Sequence, residues 1–208
     1  MRIDSLKLAP DRAGRYWVSF EDGTRLGLYR QTVEDFGLYT GKELTEEELE
    51  ALQTAAGQMS AKMRAVRIVS ASSVSKRSLE ERLVRKGEDP EQAKAAVQWL
   101  SELNLLDDRN TAEEVVRSCI AKGYGLARAK QALYEKRIPK TYWDDALEDY
   151  PDQAERIEAF LRSHLDGTSD PKQVKRAVDA LIRRGHSYGT IRQILNNLSF
   201  DTEDYFEE

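Results

Sequence analysis

The chain has 208 residues, 33% of them charged and 40% hydrophobic, with a formal net charge of −5. That is enough for one elongated domain or two small ones with a real core, in a soluble chain rich in charged helical faces. A single cysteine, Cys119, excludes an internal disulfide framework and a cysteine-based zinc site. Arg2, Asp4 and Lys7 break up any apolar signal segment, and no uncharged run approaches the roughly 18 residues that span a bilayer. The expectation is a cytoplasmic protein with no membrane contact.

Arg15 to Tyr29 reads as a strand, an Asp22-Gly23 turn and a second strand. Asp-Gly between β-rich runs predicts a type I′ turn, with positive φ at both central residues. Ile3, Leu6 and Leu8 fit a third strand, and a lone hairpin is marginal in water, so this one must pack on something. A short helical pattern follows from about Arg30 to Phe36. Another begins at Leu44, where Thr45 is placed to cap a helix and Glu48 sits at the capping-box position. The composition changes near Gly57, the expected end of an N-terminal extension over residues 1–57.

From Gln58 the pattern is helical throughout. Met59, Met63, Val66, Ile68 and Val69 make a first apolar stripe. Ser75 or Ser78 opens a second helix carrying Leu79 and Leu83, which Lys86-Gly87 closes. Pro90 suits the first turn of a third, with Ala93, Val97, Leu100 and Leu103 on one face. Asn104 to Asp108 is a break. Ala112, Val115, Val116, Cys119 and Ile120 end at Lys122-Gly123; Leu126, Ala129, Leu133 and Ile138 follow; Pro139 restarts the chain into Trp143, Ala146 and Leu147. The last set is Ile157, Phe160 and Leu161, then Val174, Val178, Leu181 and Ile182 up to Arg184-Gly185, then Ile191, Leu195 and Leu198. The expectation is a mainly α fold of nine helices in three tandem three-helix repeats (58–108, 109–150, and 151–208 with an acidic tail). Tyr124-Gly125 with Arg128 and Tyr188-Gly189 with Arg192 mark the second and third sets as diverged copies. Such repeats bury their core between neighbours and form an elongated, curved array with long open faces.

Charge is unevenly spread. Residues 1–59 carry 7 Lys/Arg against 11 Asp/Glu, net −4; residues 60–138 carry 16 against 11, net +5; residues 139–208 carry 9 against 15, net −6. A basic middle between acidic ends points to an anionic partner, either nucleic acid or an acidic protein surface. Two clusters stand out. Arg82, Arg85 and Lys86 form one; Arg117, Lys122, Tyr124, Arg128, Lys130, Lys136 and Arg137 surround the turn Lys122-Gly123-Tyr124-Gly125. At 100° per residue Lys130 and Arg137 fall two turns apart on one helix, and the array would place the clusters along one partner-binding ribbon. The turn's glycines have a geometric reason, which leaves the surrounding charge to be explained by partner binding or by solvation.

No catalytic constellation emerges. Gly41-Lys42 precedes Glu43 rather than Ser or Thr, so it is no phosphate loop. His164 and His186 are 22 residues apart without other ligands nearby. Cys119 lies on an apolar face and reads as a small core residue, and Asp107-Asp108 reads as a helix cap rather than a metal site. Trp99 is expected to be partly buried and Trp143 to pack between helices; base stacking is their alternative use, and Trp17 is the third large ring. No cofactor is expected.

Ser78-Leu79-Glu80-Glu81-Arg82-Leu83 with Lys86-Gly87, then Leu105-Leu106-Asp107-Asp108, Lys122-Gly123-Tyr124-Gly125, Lys136-Arg137-Ile138-Pro139 and Arg183-Arg184-Gly185-His186-Ser187-Tyr188 fall in an order that resembles the RecX family. The hairpin with Gly41-Lys42-Glu43-Leu44-Thr45 is similar to the extension of its longer members. Two positions depart from the pattern: Lys136-Arg137-Ile138 where Lys-Gly-Ile is frequent, which predicts a tighter turn or a cap, and Asn110-Thr111 where an aromatic is usual. The resemblance implies three tandem three-helix repeats and a non-enzymatic monomer. It also implies binding along the groove of the RecA–single-stranded-DNA filament, limiting filament growth, ATP hydrolysis, strand exchange and coprotease function, with at most weak binding to single- or double-stranded DNA alone. The competing expectation is a stand-alone DNA-binding protein using helix-turn-helix-like units.

Overall fold

A computed structural model of the chain describes residues 1–10, 14–165 and 170–198. The chain divides after Leu106 into two compact units. In the first, β1 (Ile3–Leu8), β2 (Arg15–Phe20) and β3 (Arg25–Tyr29) form an antiparallel sheet in the order β1-β2-β3. The Asp22-Gly23 turn differs from the type I′ expectation: among the residues of the turn only Gly23 has positive φ. Phe20 N–H donates to the Thr24 carbonyl at 2.9 Å and Gly23 N–H to that of Phe20 at 2.9 Å, a three-residue loop with glycine at its left-handed position. The Asp22 carboxylate drives it by accepting from the Thr24 hydroxyl at 2.7 Å and the Thr24 N–H at 2.9 Å. The sheet packs Ile3, Val18, Phe20 and Leu28 against Val33 of α1 (Arg30–Asp35) and Leu52 of the next helix, which gives the hairpin the support it requires.

That next helix, α2 (Glu46–Ala71), begins at a complete capping box: Glu48 N–H donates to the Thr45 hydroxyl at 3.2 Å and Thr45 N–H to the Glu48 carboxylate at 2.9 Å. The break expected at Gly57 is absent, because α2 runs through it. A glycine inside a helix costs about 1 kcal/mol; here the helix is held from both sides, by Leu52 in the sheet core and by Ala61 and Ala65 in the core of the first repeat. The missing side chain leaves space for Gln92, whose Oε1 would lie 2.3 Å from a Cβ on Gly57. The alanines let α4 (Pro90–Glu102) approach closely, and this rotates the buried line away from the Met59–Met63 stripe, so that Met63 is exposed. Ser75, not Ser78, caps α3 (Lys76–Arg85), accepting from Ser78 N–H at 3.1 Å. Leu79, Leu83, Ala93, Ala96, Val97, Leu100 and Leu106 complete the core. Leu103 sits past the end of α4 and is exposed; Leu106 is buried in its place.

The second unit holds α5 (Asp108–Ala121), α6 (Leu126–Glu135), a 3-10 turn (Lys140–Tyr142) leading into the five-residue α7 (Trp143–Leu147), then α8 (Ala154–His164), α9 (Pro171–Arg183) and α10 (Tyr188–Asn197). Asp107 caps α5, accepting from Arg109 N–H at 2.8 Å. Ala112, Val116, Cys119, Ala129, Leu133 and Ile138 form one core, with Trp143 packed at its edge, and Ile157, Leu161, Val174, Val178, Leu181, Ile191 and Leu195 form another. Leu126, at the first position of α6, lies before the packed layer begins and is exposed, and Ile182 is exposed because Ala177 completes the α9 stripe instead. Thr111, which with Asn110 stands where the family pattern usually has an aromatic, is buried and its hydroxyl donates to the Asp107 carbonyl at 2.7 Å. Among the described residues α2 to α10 are nine helices in three sets of three. The acidic tail lies outside the described residues.

Candidate partner-binding surface

The basic residues are positioned by one recurring device. After α3, α5, α6 and α9 the chain turns through a left-handed residue: Gly87 (φ 91°), Gly123 (67°), Arg137 (59°) and Gly185 (84°). Each time the left-handed N–H donates three residues back and the next N–H five residues back, as in Gly123 to Ile120 at 3.0 Å and Tyr124 to Cys119 at 3.0 Å. The Lys136-Arg137-Ile138 departure is therefore not a tighter turn. Arg137 N–H reaches Tyr134 at 2.9 Å and Ile138 N–H reaches Leu133 at 3.1 Å, the same closure with arginine in glycine's place. Lys86, Lys122 and Lys136 stand directly before these residues, at helix C-termini, where a cation is favoured by the dipole.

The structure separates the sequence-predicted cations by environment. Arg82, Arg85, Lys122 and Lys130 make no ion pair among the described residues. Arg117 pairs with Glu113 at 3.6 Å, one helical turn away. Arg128 pairs with Glu135 at 3.1 Å; the Gln131 amide and then Arg128 hold the Glu135 carboxyl below the usual carboxylate range. Because α6 stops at Glu135, Arg137 does not stack two turns above Lys130 as expected; its guanidinium lies 5.9 Å from the Tyr134 ring. Tyr124 is half-buried against the second repeat's core. Arg82, Arg85 and Lys86 belong to the first unit and the other seven residues to the second.

Around Lys122–Gly125 the backbone is tied to the end of its own repeat and to the third repeat. Tyr150 hydroxyl donates to the Tyr124 carbonyl at 2.7 Å, His186 Nε2 lies 3.1 Å from the Gly123 carbonyl, and Arg156 donates to that of Ile120. Burial pushes the Tyr150 hydroxyl up to about 12 and His186 below its usual value. Gly125 N–H donates to the Arg184 carbonyl at 2.8 Å, and a Cβ on Gly125 would lie 2.1 Å from the Gly185 oxygen, so the two glycine turns meet backbone to backbone. Beside them is an open groove of about 420 Å³ whose lining includes Gly125, Lys130, Tyr150, Gln153 and His186. In the first unit, buried Glu88 pairs with Arg64 at 2.8 Å and accepts from Ser60 at 3.0 Å, while Arg64 also donates to the Lys86 carbonyl at 2.8 Å. Arg64, Glu88, Arg156 and His186 were not legible as turn supports, since each meets a partner that lies far from it along the chain. Burial raises the Cys119 thiol, in keeping with a packing role. Among the described residues no group of three or more His, Cys, Asp or Glu side chains is placed to hold a metal, and no helix is long and apolar enough to cross a membrane.

Residues 107–147, which hold the turn, match the pattern of RecX, second three-helix domain. The regulatory protein RecX of Vibrio parahaemolyticus is 30% identical over 149 residues, spanning 70% of this chain and 94% of that protein. This chain belongs to the RecX family. Similarity to the regulatory protein RecX of Clostridioides difficile extends over 98% of this chain and 97% of that one, at 26% identity. A crystal structure of regulatory protein RecX superposes with a TM-score of 0.63 at 21% identity, covering 94% of this chain and 98% of the other. RecX from Lactobacillus salivarius gives 0.60 at 22%, covering 70% and 98%. The RecX fold is thus shared, and the relatives are named as regulatory proteins.

Proposed function

We propose that this RecX-family protein regulates the RecA recombinase by binding the RecA–single-stranded-DNA filament, as a cytoplasmic monomer and without catalysing a reaction of its own. Binding limits filament growth, ATP hydrolysis, strand exchange and coprotease function. Family membership supports the regulatory role. The observation that carries the binding surface is Lys130: it lies within α6 rather than at a helix C-terminus, it makes no ion pair among the described residues, and it borders an open groove. Its charge is left for a partner. Arg82, Arg85 and Lys122 supply further contacts from fixed helix ends, and a modest net charge suits an interface specified by shape as well as by charge.

The test is RecA's single-stranded-DNA-dependent ATPase with this protein added. Inhibition at stoichiometric or lower amounts is expected; no inhibition at an equimolar amount refutes the proposal. Tight, steeply salt-dependent binding to naked duplex DNA, with none to the filament, would favour the stand-alone DNA-binding alternative.

A further inference from the structure

The third repeat carries a second basic surface, which the site above does not include. On α9, Lys172, Lys175, Arg176 and Arg183 occupy positions i, i+3, i+4 and i+11, one stripe of a helix, and all four are exposed. Arg184 follows at the helix end. Asp179, partly buried, is the one carboxylate within α9. Elsewhere among the described residues five exposed helical arginines pair with a glutamate one turn away, Arg30 with Glu34, Arg77 with Glu81, Arg109 and Arg117 with Glu113, and Arg162 with Glu158, whereas Arg67 and Arg85 do not. The α9 stripe has no such pair among the described residues. Nor does the helix dipole explain it. Lys172 stands in the first turn of α9, where a cation is disfavoured, and Lys175 lies beyond the reach of either helix end. At 1.5 Å per residue the stripe is about 17 Å long, the axial length of roughly five nucleotides of one strand at about 3.4 Å each.

At its end the stripe meets a flat stack. The Arg184 guanidinium lies 4.4 Å from the centre of the Phe160 ring, and His164 stacks on Phe160 with centroids 4.0 Å apart and planes at 24°. Arg184 and His164 are themselves exposed. A planar stack beside a row of unpaired cations matches a strand whose bases are free to stack, more closely than it matches the carboxylates of a protein surface.

We propose that the α9 stripe, with the Arg184–Phe160–His164 stack, is a contact for single-stranded nucleic acid, its cations on the phosphates and its stack under an unpaired base. This goes beyond filament binding through Lys130 and is tested without RecA. The full chain is titrated against a fluorescent fifteen-nucleotide oligo-dT strand at several salt concentrations, reading anisotropy. A single strand loses about 0.7 in log-log salt slope per phosphate contact, so wild type is expected near −3 and Lys175→Gln/Arg176→Gln shallower by about 1.4. That variant should also bind about tenfold more weakly at low salt. Arg67→Gln/Lys94→Gln, equal in charge change and exposed outside both basic surfaces, should bind like wild type. Arg184→Lys keeps the charge and should retain the slope with several-fold weaker binding. The proposal is overturned if the α9 variant matches wild type in affinity and slope, or if wild type binds no strand at low salt. Unchanged unfolding midpoints in urea confirm that each variant is folded.

Discussion

The two turns that bracket α6 close their preceding helices with the same backbone hydrogen bonds, yet one contains two glycines and the other holds Arg137. The difference lies in what surrounds them. At Arg137 the constraint is the left-handed backbone alone, a modest cost that a long side chain can bear when it points to solvent. At Gly125 φ is an ordinary −79°; there the constraint is space, since the Gly185 backbone occupies the volume of a Cβ. A conformational requirement tolerates substitution, whereas a backbone-to-backbone contact does not.

Gly125→Ala should have the largest effect of any single substitution in these turns. The added carbon meets a carbonyl oxygen and its carbon, neither of which can swing aside, and a loss on the order of 3 kcal/mol or more is expected from overpacking a fixed contact. A urea midpoint equal to wild type would show that the two turns do not meet. Next is the Lys86 turn of the first unit, held by the Arg64–Glu88 pair rather than by backbone contact. Glu88→Ala leaves a charge without its buried partner and should cost about 2 kcal/mol, less than a fully buried pair because Arg64 is partly exposed. Arg137→Gly has the opposite sign. It relieves the left-handed strain and should raise stability by about 1 kcal/mol, while Gly87→Ala, at φ 91° with open space around it, should lower it by a similar amount.

The smallest effect is on pH. Burial favours the neutral His186 ring, so its folded pKa lies below the reference 6.5. The unfolded chain therefore binds more protons below pH 6.5, and the contribution of His186 is complete above that value and lost as pH falls through the folded pKa. The thermal midpoint of wild type should fall between pH 7.5 and pH 5.5, and His186→Gln should fall less; equal slopes would remove His186 from the account.

Much of the fold was legible because amphipathic spacing and cap chemistry are local. Thr45 and Glu48, Asp107, and Lys before Gly each act within one turn of the residue that displays them. What escaped depended on distant partners. Gly57 reads as a boundary until Gln92 and Leu52 are seen to hold the helix through it; Met63 and Leu103 fit the stripe, but small residues set which side packs. Of the candidate site, the positions of the cations at helix ends were legible, whereas their pairing was not: Arg128 and Glu135 share one face of α6 but stand seven residues apart, beyond the usual one-turn reach. The unpaired α9 stripe was hidden within an acidic third of the chain.

The central claim is that the Lys122–Lys130 surface grips the filament. Co-sedimentation of the full chain with RecA filaments on single-stranded DNA, comparing wild type with Lys122→Glu/Lys130→Glu, tests it most directly. The account predicts that wild type pellets with the filament and that the variant binds at least about tenfold more weakly, near 1.4 kcal/mol, with an unchanged unfolding midpoint. A variant that pellets as wild type does would contradict it.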